Sequence, residues 1–113
     1  MNNLFDIACN FSSDRFEKDL NEVIKRAKDN NVTKFLLVSA SLKDSEKVNN
    51  IYQDNKDSCF LTIGAHPHHA NEFNSSSSAE MKRLIEKYKP HSVGETGLDF
   101  FRNISSYEEQ VRS

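Results

Sequence analysis

Short apolar runs alternate with amphipathic helical stripes along this chain, and that alternation constrains its fold more than any other feature. Leu4-Phe5-Asp6-Ile7-Ala8-Cys9, Phe35-Leu36-Leu37-Val38, Cys59-Phe60-Leu61-Thr62-Ile63-Gly64 and His91-Ser92-Val93-Gly94-Glu95 each read as a strand. Between them Phe16, Leu20, Val23, Ile24 and Ala27 recur at helical spacing, as do Met81, Leu84, Ile85 and Tyr88. Val48, Ile51 and Tyr52 make a narrower stripe for a weaker helix. The unbroken run at Phe35 suits a strand covered on both faces, as in parallel sheets. Three capping boxes are expected to start helices: Asp14 with Glu17, Ser77 with Glu80, and Ser106 with Glu109. Asn30-Asn31 and Pro90 are stop signals, and the serines at 75–78 read as a surface loop feeding a helix.

The order is βαβαβαβ plus the start of a fourth helix, the pattern of an α/β fold with a parallel sheet. Strands begin near residues 4, 33, 58 and 91, roughly one unit per 30 residues, and a closed eight-unit barrel at that pitch needs about 250. The expectation is a partial TIM-type (β/α) barrel over residues 1–113 as a single domain. It would hold about four parallel strands, three helices and the beginning of a fourth. A four-stranded open sheet is the alternative, although parallel sheets need their faces and edges covered.

Charged residues of both signs are mixed and the formal net charge is −2, which argues against gripping nucleic acid through a whole-molecule field. Any such role must rest on a local site. No basic and apolar leader opens the chain and no apolar run approaches the ~18 residues of a membrane span. A cytoplasmic location is expected, or nuclear in a eukaryote. Cys9 and Cys59 fall in strand-like segments with no zinc or redox spacing, and read as buried reduced thiols.

Three unusual features fall at the C-terminal ends of expected strands, where α/β folds bind ligands. The first is Gly64-Ala65-His66-Pro67-His68-His69, in which Pro67 pushes His66 into an extended conformation so that His66 and His68 share a side. Imidazoles there can ligate metal or hydrogen-bond phosphate, though such a turn alone also reads as a surface loop. The second is Gly94-Glu95-Thr96-Gly97-Leu98-Asp99, where glycines flank a carboxylate suited to a hard divalent cation or to general base work. Asp99 and Arg102, three apart, read as a local ion pair. The third is Asp6 with Asn10: a carboxylate in an apolar run must be bonded or paired, so Asp6 is expected to cap backbone or orient a neighbour.

Together, in this order, these pieces resemble the TatD family of metal-dependent deoxyribonucleases, among the amidohydrolase-like barrels. The matching stretches are Leu4-Phe5-Asp6-Ile7 with Asn10, Gly64-Ala65-His66-Pro67-His68, and Gly94-Glu95-Thr96-Gly97-Leu98-Asp99-Phe100, followed by Arg102-Asn103 and Glu109-Gln110. The resemblance implies that Glu95 bridges two divalent metals, with Mg, Mn and Zn not distinguished. It implies that His66 and His68 line the active-site mouth, His66 facing the scissile phosphate. Many members carry a His-x-His pair where this chain has Ala8 and Asn10; one branch has a small residue and Asn there.

The implied activity is hydrolysis of DNA phosphodiester bonds, assisted by cations that activate water and stabilise phosphoryl charge. Asp6, Asn10, Asp99 and Arg102 would serve as phosphate-binding or supporting residues. The family's remaining ligands come from later strands, so the expectation is a truncated, N-terminal half of such a barrel. The complete fold would be monomeric, with the open edge of the fragment available to associate. Two other readings remain: another metal-dependent barrel hydrolase acting on an ester, lactone or amide, and a non-catalytic remnant.

Overall fold

The computed structural model describes residues 2–113. Strands β1 (Leu4–Cys9), β2 (Val32–Leu37), β3 (Cys59–Ile63) and β4 (Ser92–Val93) lie side by side in sequence order. All three pairings are parallel, with Asp6 opposite Phe35, Leu37 opposite Leu61 and Ile63 opposite Val93. The strands form a curled half-barrel, and helices α1 (Leu20–Asp29), α2 (Ser45–Asp54) and α3 (Ser77–Tyr88) supply the crossovers that parallel neighbours require. Helix α4 (Tyr107–Arg112) follows the last strand.

The core lies between the sheet and the helices. Phe35, Leu37, Leu61, Ile63, Val48 and Cys59 are buried, and Ile24 of α1 joins them. Phe11, just after β1, bridges the layers, its ring 5.4 Å from Phe35 and 5.5 Å edge-on from Phe16. The inner strands β2 and β3 bury or half-bury their apolar residues, as unbroken runs in parallel sheets do. Edge strand β1 does not: Leu4, Phe5 and Ile7 are exposed, and its ladder with β2 is interrupted twice. Cys9 and Cys59 are free and buried, and burial pushes the Cys9 thiol far above its ordinary range. Among the described residues no helix is long and apolar enough to cross a membrane.

Several local expectations are corrected. The Asp14–Glu17 capping box is absent. Ser13 caps a 3-10 turn at Asp14–Phe16 by accepting from Arg15 N, and α1 starts only at Leu20. Ser77 and Glu80 form no capping box either, because the Ser77 hydroxyl accepts from Asn74 N at 2.8 Å and Glu80 is held by Arg83. Ser106 and Glu109 do form one, with both reciprocal bonds present. The last strand is two residues long rather than five. His91 N and Gly94 N still donate to Leu61 O and Ile63 O, but Glu95 then turns toward Ser39 O, 3.4 Å from its N. Asn31 ends α1 with φ 65°, and Lys89, with φ 49°, ends α3 ahead of Pro90.

Candidate active site

The segments leaving the C-terminal ends of the four strands enclose a cleft of about 460 Å³. Asn10 follows β1, Val38 and Ala40 follow β2, His66, His68 and His69 follow β3, and Glu95 follows β4; all line it. Backbone bonds tie these segments together: Val38 N donates to Cys9 O at 3.0 Å and His66 N to Ala40 O at 2.9 Å. Beneath them, buried Ser39 donates its hydroxyl to Thr62 O at 2.9 Å, and Thr62 donates its own to Leu37 O at 3.0 Å. These two hydroxyls are satisfied inside an otherwise apolar sheet, as buried polar groups must be.

Gly64 sets how closely the last two strand ends approach. A Cβ on Gly64 would stand 2.3 Å from Gly94 C, 2.5 Å from Gly94 O and 2.7 Å from Glu95 O. The peptide joining Gly94 to Glu95 is cis. The glycines flanking Glu95, read from sequence as the close-approach positions, have open space where a Cβ would stand, and Gly97 is glycine for its φ of 140°.

His66 is extended, with φ −64° and ψ 145°, but Pro67 starts a 3-10 turn over Pro67–Glu72 instead of continuing the extension. Proline's fixed φ suits a first helical position. The turn returns His68 N to His66 Nδ1 at 3.0 Å. With Nδ1 accepting, the proton of neutral His66 sits on Nε2, which faces Glu95 Oε1 at 3.5 Å. Burial lowers the His66 pKa; Glu95 opposes the shift, and His68 and His69 add to it. The His68 ring stands edge-on, its centroid 4.3 Å away, and its Nε2 lies 2.7 Å from Asp99 Oδ2.

Asp99 is in turn held by Arg102, whose N–H donates to Oδ1 at 3.0 Å. That bond, then the one to His68, lowers the Asp99 carboxyl below its ordinary value of 3.8. A carboxylate whose folded pKa is depressed contributes stability above its unfolded value and loses it as pH falls through the folded one. The melting-temperature gap between parent and Asp99→Asn is therefore expected to hold steady above pH 3.8 and to narrow below it. A gap unchanged into strong acid would contradict this account.

Among the described residues, no three His, Cys, Asp or Glu side chains are grouped to hold a metal ion. Glu95 and Asn10 offer oxygens at the rim, whereas a hard divalent cation takes about six ligands. The residues present do not by themselves make a metal site.

A family model described as TatD related DNase matches residues 5–113. The chain belongs to that family. The TatD-family relatives include the protein named 3'-5' ssDNA/RNA exonuclease TatD in Erwinia billingiae, 41% identical over 108 residues, covering 96% of this chain and 41% of the relative. The protein of the same name in Erwinia tasmaniensis is 38% identical over 108 residues, covering 96% and 42%. The chain thus spans about two fifths of these relatives' length. Its structure is similar to that of a hydrolase TatD family protein from Entamoeba histolytica, with TM-score 0.80, 28% identity, and coverage of 99% of this chain and 44% of that one. An uncharacterized amidohydrolase from Saccharomyces cerevisiae shares the fold at TM-score 0.74 and 24% identity, over 97% and 41%.

In this TatD-family chain the cleft brings together Asn10, His66, His68 and Glu95. Asp99 stands behind His68 as its hydrogen-bond partner. Asp6 lies outside the cleft, exposed on β1, and its carboxylate accepts from Ala8 N at 3.0 Å. Arg102 is exposed, with Nη1 3.7 Å from Asp99 Oδ2. Sequence reasoning missed Asp44 at the cleft and gave Asp14 only a capping role; both line it. It also missed Ser105, and it named Gln110 within the matching Glu109-Gln110 stretch without giving it a role; both are buried polar side chains, in and beside a six-residue helix. A serine and a glutamine among charged neighbours carry no local signal of burial.

Proposed function

We propose that this chain supplies the phosphate-binding part of a divalent-cation-dependent nuclease site acting on single-stranded DNA or RNA. The reading is carried by the meeting of His66, His68 and Glu95 in one cleft at the C-terminal ends of parallel strands. It is also supported by the names of the Erwinia relatives.

The chemistry of the cleft divides between these groups. His66 presents an Nε2–H to an oxyanion, since its other nitrogen is engaged by the His68 amide. His68, fixed by Asp99, binds a second phosphate oxygen once its free nitrogen is protonated. Asp14, Asp44 and Glu95 line the cleft; Lys47 pairs with Asp14 at 3.0 Å, but among the described residues no lysine or arginine lines the cleft itself, so a phosphate beside Glu95 needs further compensating positive charge. A bound divalent cation supplies such charge and lowers the pKa of a ligated water. Glu95 is the carboxylate this chain would offer to that ion.

The test is binding of the full chain to a labelled single-stranded oligonucleotide with Mn²⁺ present, read by fluorescence anisotropy. Each charge-assisted hydrogen bond is worth about 1.5–3 kcal/mol, so His66→Ala is expected to weaken binding about tenfold or more. His68→Ala should weaken it similarly. Variants that bind as tightly as the parent would remove the cleft from substrate binding.

A further inference from the structure

Residues 94–106 form no helix or strand, yet Asp99 sits at a definite place within them. What fixes it is the side chain of Gln110 in α4, only 3% exposed. Its Oε1 accepts from Asp99 N at 2.7 Å, while its Nε2 donates to Asp99 O at 3.2 Å and to Ser105 O at 2.7 Å. One partner is an N–H and two are carbonyls, so the orientation of the carboxamide is forced. The side chain grips both backbone groups of a single residue, as a neighbouring strand would.

Both ends of His68 depend on that grip. The Asp99 carboxylate, reached from the clamped backbone, takes the ring Nε2 at 2.7 Å. Ser105, whose carbonyl is the third Gln110 partner, donates its hydroxyl to His68 O at 3.2 Å and accepts from Asn71 N at 3.3 Å. We propose that Gln110 is a positioning residue for His68, setting the imidazole through Asp99 and its main chain through Ser105. With Nε2 committed to Asp99, Nδ1 is the nitrogen His68 turns to a ligand. That last consequence rests on the phosphate-binding reading; the positioning itself does not.

Glutamine is required by the chemistry. Glutamate keeps the accepting oxygen but loses both donated bonds and sets a charge against two carbonyls. Leucine keeps the volume and loses all three bonds.

The experiment is NMR of the full chain with ¹⁵N-labelled histidine, without nucleic acid, the His68 signals being assigned by their loss in His68→Gln. In the parent, the Asp99-bound Nε2–H is expected as a downfield proton slow to exchange. In Gln110→Leu it should shift or vanish as it does in Asp99→Ala, and the double variant should add nothing. The His91 ring, whose Nδ1 accepts from Leu61 N across β3 and β4, reports that the fold is kept and should not change. If Gln110→Leu does not fold, Gln110→Glu is read in the same way.

A His68 signal identical to the parent's in either folded variant overturns the proposal. So does failure of both variants to fold, which would make Gln110 structural. Oligonucleotide affinity is measured separately on Gln110→Glu and His68→Ala, with a loss of about fivefold expected for the first. If the NMR signal moves while both bind like the parent, the positioning stands and the phosphate-binding reading of His68 falls.

Discussion

Gly64→Ala is expected to destabilise the chain by about 3 kcal/mol and to displace Glu95 from the cleft. The added Cβ would meet only backbone atoms, three of them within 2.7 Å, belonging to Gly94 and Glu95. A flexible side chain can rotate away from a new methyl group; a backbone pinned by Gly94 N to Ile63 O and His66 N to Ala40 O cannot do so without breaking those bonds. The strand end must therefore separate from its neighbour, taking the carboxylate with it. For a domain of this size each kcal/mol lowers the melting temperature by about 4 °C or more, so a fall of roughly 12 °C should be seen by calorimetry. Gly94→Ala is the matched control, because nothing lies within 4 Å of a Cβ there. It should be nearly neutral. Equal melting temperatures for the two variants would show that the strand ends are not in backbone contact.

Phe35→Ala is expected to cost about 3–5 kcal/mol, the usual range for emptying a buried aromatic position. Phe35 is 1% exposed in the inner strand β2, and its ring meets that of Phe11. Its removal opens the contact between the sheet and the chain that returns from β1. Domains of this size hold only about 5–15 kcal/mol in all, so the variant should show a much lower urea midpoint and a measurable unfolded fraction. Phe5→Ala, on the edge strand and 48% exposed, should lose about 1 kcal/mol through its Phe60 contact. A Phe35→Ala midpoint as high as that of Phe5→Ala would place the core elsewhere.

The strand order and the three crossover helices were legible because apolar periodicity is written locally: the Phe35 and Leu61 runs and the Leu20–Ala27 stripe state their elements without help. Their pitch allowed a half-barrel or an open four-stranded sheet, and the family resemblance favoured the first. The start of α1 was not legible, since Asp14 and Glu17 have the spacing of a capping box while Ser13 holds the first turn. The same holds for Ser77, whose hydroxyl is claimed by Asn74. The short β4 was hidden because His91–Glu95 reads as continuous, whereas its ladder is set by where β3 ends.

At the candidate site, residue types at strand ends pointed to His66, His68 and Glu95 because their positions in sequence already implied one rim. What escaped was everything decided through space. Gly64 meets a backbone thirty residues away, and Gln110, quoted from sequence only as half of a matching Glu109-Gln110 pair, closes on Asp99 from the following helix.

The amide of His68 spends the only lone pair that a neutral His66 possesses. An imidazole in that state is a poor chelator, because the nitrogen it shows to the cleft carries hydrogen and repels cations as it attracts oxygen anions. Glu95, 3.5 Å away, has the opposite polarity. A cleft that binds as proposed would therefore sort its guests by sign over the width of one hydrogen bond, and two histidines beside a carboxylate need not signify a chelating trio.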